Sequence, residues 1–211
     1  MFDIEYKGGN TIVISTKKAT AVIDPKLSVV GLKDLQAKDA IEIATEARFA
    51  VSDPDARINI EGPGEYETAD FSIRGITATR HLDTSADEKL STIYRIEVGE
   101  ARIAVVGNIT EKLSETQLEE LGIIDIAIVP IGGSGYTLDP TGAASIVRQI
   151  DPKVVIPVHY ADSALKYEVP QGDLDTFVKE LGAPVETVSK YKVKSASAIP
   201  PVLTIVEITR S

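Results

Sequence analysis

Cysteine and tryptophan are absent from this sequence, methionine occurs once and histidine only twice. Without cysteine there can be no disulfide, no thiolate zinc site and no cysteine nucleophile. Positive charge is in short supply: 22 Lys and Arg stand against 32 Asp and Glu, a formal net charge of −10. Such a balance repels nucleic acid and anionic membrane, so neither is expected as a partner. No apolar run approaches the roughly 20 residues that span a bilayer. The opening MFDIEYKGG has an early acid, Asp3, and lacks the basic and apolar regions of a signal peptide. A soluble, cytoplasmic protein is the expectation. The one short basic stretch, Lys190, Lys192 and Lys194, reads as the exposed face of a strand.

What is present is an ordinary globular balance, 43% hydrophobic and 26% charged residues over 211 positions. With no linker, low-complexity segment or clear repeat, a single domain over 1–211 is expected. The first half is rich in short β-branched runs: 11–15, 20–23, 39–44, 57–60, 71–79, 92–98 and 102–106. Lys17 and Lys18 suit a hairpin turn, and Asp24-Pro25 closes a strand, because proline cannot continue a central ladder. GPGEYE (62–67) reads as a turn, and Gly99-Glu100 as a type II′ hairpin connection.

Helical signals come later. Ser114 and Gln117 form a capping box ahead of Leu118 and Leu121, with Gly122 as the stop. Asp139-Pro140 supplies an N-cap and first helical residue, followed by Ala143, Ile146, Val147 and Ile150 at helical spacing. A third helix carries Leu174, Phe177, Val178 and Leu181 and ends at Gly182. The continuous apolar runs 126–131 and 154–158 suit strands covered on both faces. A last strand is expected over 202–208. Sheets packed face to face with helices outside satisfy this order of elements.

Candidate chemistry gathers at strand ends. His81 follows the run 71–80 and His159 follows 154–158. A sheet aims groups at its strand ends into a shared cleft, although a histidine there can also simply cap its strand. Asp24, Asn108 and Ser134 occupy comparable positions. The first two also suit ordinary turns. IGGSGY (131–136) lacks the phosphate-loop lysine and spacing, and reads better as a loop where two backbones pack closely.

Taken in order, the landmarks AVIDP (21–25), GPGEYETADFSIRGITATRH (62–81), IAVVGN (103–108), DIAIVPIGG (125–133) and PKVVIPVHY (152–160) resemble the metallo-β-lactamase superfamily. Within it they are most similar to the L-ascorbate-6-phosphate lactonase-like branch. The resemblance implies an α/β (α+β) fold, a four-layer αββα sandwich. It also implies metal at a T-H-x-H-x-D-H motif, which falls here on 44–50. Ala44 takes the place of the threonine, and the ligand positions hold Thr45, Ala47, Phe49 and Ala50. The bridging aspartate is matched by Asn108, whose neutral amide bridges cations poorly. Only His81 and His159 keep ligand-type side chains.

Catalytic zinc usually takes three protein ligands and an open position. No metal or other cofactor is therefore expected, and the reading favoured is a non-hydrolytic binding or regulatory protein. Its partner would be a small-molecule ligand or, as in the branch it resembles, a second copy of itself in a homo-oligomer. The alternative is a hydrolase of a phosphoester or lactone. It would work either through one weakly held zinc or manganese at His81 and His159, or with histidine as general base near neutral pH. Candidate catalytic residues are His81, His159 and Asn108, with Asp24, Thr45, Glu65, Asp83, Ser134 and Tyr160 lining the cleft.

Overall fold

In the computed structural model, residues 1–81 and 90–211 are described. Strands β1 (Phe2–Gly8), β2 (Thr11–Ser15), β3 (Thr20–Ile23), β4 (Ile41–Ala44) and β5 (Ile58–Glu61) come first. They are followed by β6 (Gly64–Thr68), β7 (Phe71–Thr79), β8 (Leu90–Val98) and β9 (Ala101–Val105). Helix α1 (Glu115–Leu121), β10 (Ile126–Pro130), α2 (Pro140–Ile150), β11 (Val154–Val158) and α3 (Leu174–Leu181) then alternate. The chain closes with β12 (Val185–Val188), β13 (Tyr191–Val193) and β14 (Thr204–Ile208).

Among the described residues these strands form two sheets. One has the order β13-β1-β2-β3-β4-β5, the other β12-β14-β11-β10-β9-β8-β7-β6. The inner faces meet in a core of Ile4, Ile14, Ile23 and Ile43 from the first sheet and Ile73, Ile96, Ile128 and Ile156 from the second. The other side of the second sheet carries Ile93, Ala104, Ala127 and Val129, which pack against Ile146 and Val147 of α2 and Phe177 of α3. Strands β10 and β11 are buried along their whole length, which is why they read as unbroken apolar runs. The outer face of the first sheet is covered at Val13 and Val22 by Leu35, Ala37 and Ala40 of the β3–β4 connection. This is the mixed α/β sandwich that the sequence implied.

The helix ends follow their local chemistry. Ser114 accepts from the Gln117 amide and Gln117 reaches back to the Ser114 amide, closing the capping box. Asp139 caps α2 ahead of Pro140, and Gly182 ends α3 in a left-handed conformation at φ 69°.

Several sequence expectations are corrected. GPGEYE is a turn only at its start; Gly64 opens β6, an edge strand paired with β7. Its Gly and Pro content masked an alternating pattern that becomes a strand because β7 offers a free edge. Gly99 and Glu100 both have positive φ, 54° and 68°, so the turn has type I′ geometry rather than II′, which requires positive φ at the first residue only. Strands β1 and β12 were not anticipated. The stretch 190–194 does form a strand with Lys192 outward and Tyr191 and Val193 buried, and Lys190 pairs with Glu5.

Candidate active site at the strand ends

Strands β3, β4, β9, β10 and β11 deliver their C-terminal ends to neighbouring positions through parallel pairing of β3 with β4, β9 with β10 and β10 with β11. The backbone just beyond them is unusual. Asp24, Ser134 and His159 adopt φ of 50°, 60° and 52°, and Gly107 and Gly133 adopt 66° and 71°. Left-handed conformations at residues other than glycine cost free energy and concentrate where side chains must be aimed. The loop 132–133 lets backbones approach: a Cβ on Gly132 would collide with the His159 carbonyl and the Gln171 side chain. Backbone bonds from Ile131 to Val158 and from Gly172 to Gly132 hold that contact.

Asp24 is buried directly after β3. Its two carboxyl oxygens accept from the Thr45 amide and hydroxyl, both at 2.7 Å. Burial raises its pKa to about 7, against the lowering effect of the Thr45 hydrogen bonds; nearby Glu46 adds to the rise and Arg48 opposes it. With both oxygens committed, Asp24 acts as a clamp that fixes the start of the 45–50 loop.

The centre of that loop is ionic. Glu46, 7% exposed, accepts from the Asn108 side-chain amide at 2.9 Å. Its Oε2 lies 2.9 Å from Nε of Arg48 and 2.9 Å from Nε of Arg80, and Nη2 of Arg48 donates to Oε1 at 3.3 Å. The Arg48 guanidinium lies over the Phe49 ring at 4.6 Å and the Tyr136 ring at 5.6 Å. Asn108 is fully buried, and its side-chain oxygen has no hydrogen-bond partner among the described residues.

His159 sits across this loop. Its Nδ1 faces Oδ1 of Asn10 at 3.0 Å, and its ring packs on Tyr167 at 5.0 Å. The Asn10 oxygen fixes the proton on Nδ1, which leaves Nε2 as the lone-pair nitrogen. Burial, aided by the charge of Arg48, lowers the His159 pKa to about 4. The imidazole is therefore neutral at pH 7 and a weak base. His159 and Arg48 line one cavity of about 130 Å³ together with Phe49, Tyr136 and Tyr167.

The structure thus brings Asp24, Thr45, Asn108 and His159 into one neighbourhood. Other candidates lie elsewhere. His81 is half-buried and tied to Asn108 by its backbone amide at 3.1 Å, but it does not line the His159 cavity. Tyr160 stacks on Tyr6 at 5.9 Å and packs into the core. Glu65 lies exposed on the edge strand β6, paired with Arg74. Ser134 is exposed and donates to the Pro170 carbonyl. Asp83 falls outside the described residues. Sequence reasoning missed Glu46, Arg48, Arg80 and Asn10. The signal for the first two lay in the spacer positions between the expected ligands, where attention to absent histidines hid the charges present.

A sequence profile described as the beta-lactamase superfamily domain matches residues 3–159. The chain belongs to this superfamily. A UPF0173 metal-dependent hydrolase of Lysinibacillus sphaericus is 26% identical over 196 residues, covering 75% of this chain and 85% of the relative. One from Anoxybacillus flavithermus is 25% identical over 203 residues, covering 80% of this chain and 90% of the relative. Among solved structures, a proposed Zn-dependent hydrolase of the metallo-beta-lactamase superfamily from Thermotoga maritima superposes with a TM-score of 0.76 at 20% identity. It covers 99% of this chain and 100% of that one. These relatives overturn the expectation of a non-hydrolytic binding or regulatory protein: the superfamily members this chain resembles in sequence are named as hydrolases.

The metal that this superfamily implies does not fit the residues in place here. Glu46 is already neutralised by two guanidinium groups. Asn108 presents its NH₂ to Glu46 where a bridging ligand would present lone pairs. Among the described residues no three His, Asp or Glu side chains converge as ligands.

Proposed function

We propose that this chain is a hydrolase of a phosphoester or lactone, working at the strand-end cavity between His159 and Arg48. The observation that carries the reading is the neutral, oriented imidazole of His159 sharing a cavity with a guanidinium. Its support from outside the site is that relatives are named metal-dependent hydrolases. The narrower kinship with L-ascorbate-6-phosphate lactonases suggested by the ordered motifs points the same way, toward a lactone or a phosphate ester.

In such a site, the lone pair on Nε2 of His159 accepts a hydrogen bond from the attacking water and orients it. The water oxygen bonds to the acyl carbon or phosphorus, its proton passes by way of Nε2 to the leaving oxygen, and the ester bond breaks. Arg48 stabilises the negative charge that grows on the reacting group. With a histidine pKa near 4 the proton transfer is weakly driven, so modest turnover is expected. No step is assigned to a metal.

A panel of phosphodiesters, phosphomonoesters and lactones, assayed with and without EDTA, tests this. Hydrolysis that survives EDTA and falls at least tenfold in His159→Ala supports the proposal. Equal rates for wild type and His159→Ala, or no turnover on any class, contradict it.

A further inference from the structure

The geometry points to Arg48 as a built-in cation in place of the absent metal, making the cavity beside it a site for a small monoanion with a ring-sized apolar body. This rests on the proposed hydrolase reading and names its substrate class: a phosphodiester carries one negative charge, and a lactone opens to one carboxylate.

Four observations carry it. First, Glu46, Arg48 and Arg80 form a buried cluster of one carboxylate and two guanidinium groups, a net single positive charge. Of the remaining acids nearby, Asp24 is held by Thr45 and is about half neutral at pH 7, and Glu168 is exposed at the rim, where water screens it. Second, Arg48 is held in a fixed pose. Nε and Nη2 face the Glu46 carboxylate, and the rings of Phe49 and Tyr136 flank the guanidinium. Its Nη1 donors make no hydrogen bond among the described residues, leaving an edge to receive an oxyanion.

Third, the cavity itself is small and largely apolar. Val30, Phe49, Tyr136, Tyr167 and Val169 form its walls around about 130 Å³, below the roughly 300–1,000 Å³ usual for drug-sized ligands. That volume suits one ring or a short branched chain. Fourth, polar groups wait unpaired around it. Gln171, a lining residue, has a buried side-chain oxygen with no hydrogen-bond partner. The Asn108 oxygen beyond Glu46 is in the same state and fully buried. Such groups are costly unless a ligand or water satisfies them.

Isothermal titration with benzoate, methyl phenyl phosphate and neutral benzamide tests the site. Wild type is expected to bind both anions at least tenfold more tightly than benzamide, and Arg48→Met to lose that preference. Should Arg48→Met fail to fold, Val169→Trp, on the cavity wall, is expected to abolish benzoate binding while leaving the far-ultraviolet circular dichroism unchanged. Benzamide binding as tightly as benzoate, or benzoate binding untouched by both variants, overturns the inference. The hydrolase reading fails separately. Arg48-dependent benzoate binding with no turnover on the ester panel sinks hydrolysis alone, and turnover without Arg48-dependent anion binding sinks the site alone.

Discussion

Glu46 and Arg48 face each other in a two-point contact, Nε to Oε2 at 2.9 Å and Nη2 to Oε1 at 3.3 Å, with Glu46 buried and Arg48 about a third exposed. They sit two residues apart in a loop where the superfamily would place metal ligands. A buried carboxylate facing two guanidinium groups is a demanding arrangement, because loss of the anion strands the cations.

Glu46→Gln should therefore destabilise the fold. The glutamine keeps the shape and the oxygen that Asn108 donates to, but leaves Arg48 and Arg80 without their counter-charge. Allowing for the partial exposure of Arg48, a loss of about 2 kcal/mol is expected. Urea denaturation measures it, and a change below about 0.5 kcal/mol would show the cluster to be energetically idle.

Two buried groups give opposing pH dependences. Asp24 has its pKa raised to about 7 from 3.8, so the folded state holds a proton that the unfolded chain releases. Its contribution is fully present below pH 4 and is lost as pH rises through 7, a difference of about 4 kcal/mol if complete. His159 has its pKa lowered to about 4 from 6.5. Its contribution is fully present above pH 6.5 and is lost as pH falls through 4, a difference of about 3 kcal/mol. Asp24→Asn should thus gain stability relative to wild type between pH 4.5 and 7.5, and His159→Asn should gain relative to wild type as pH drops over the same interval. Denaturant midpoints at pH 4.5, 6 and 7.5 read both. Parallel pH profiles for all three proteins would show that neither shift exists.

Gly132 allows the close approach of the β10–α2 loop to residues 159 and 171–172. A methyl there meets the His159 carbonyl, a backbone atom that cannot swing aside. Gly132→Ala should cost about 1–3 kcal/mol and displace His159 from Asn10. The displacement would be visible as a rise in the histidine pKa by NMR titration. An unchanged pKa and an unchanged melting temperature would mean that the loop yields freely.

Much of the scaffold was legible in the residues. The capping box at Ser114, the Asp139-Pro140 start and the apolar runs of β10 and β11 are local signals with local causes, and they appear as read. The strand-end placement of Asp24, Asn108 and His159 was legible for the same reason: a β-branched run followed by a polar residue marks where a strand stops. Edge strands such as β6 and β12 were not, because their pairing depends on a neighbour distant in sequence. Tyr160 was assigned to the cleft on adjacency to His159, but consecutive residues at a strand end point to opposite sides. The Glu46–Arg48–Arg80 cluster was hidden because its members come from two separate segments, and only the fold brings Arg80, after β7, to the loop after β4.

The most direct test of a guanidinium in the place of a metal is elemental analysis of the purified full-length chain after incubation with zinc or manganese and dialysis. Arg48 and Arg80 around Glu46 predict well under one tenth of an ion per chain and no shift in melting temperature. One tightly held ion per chain, with a raised melting temperature, would contradict the account.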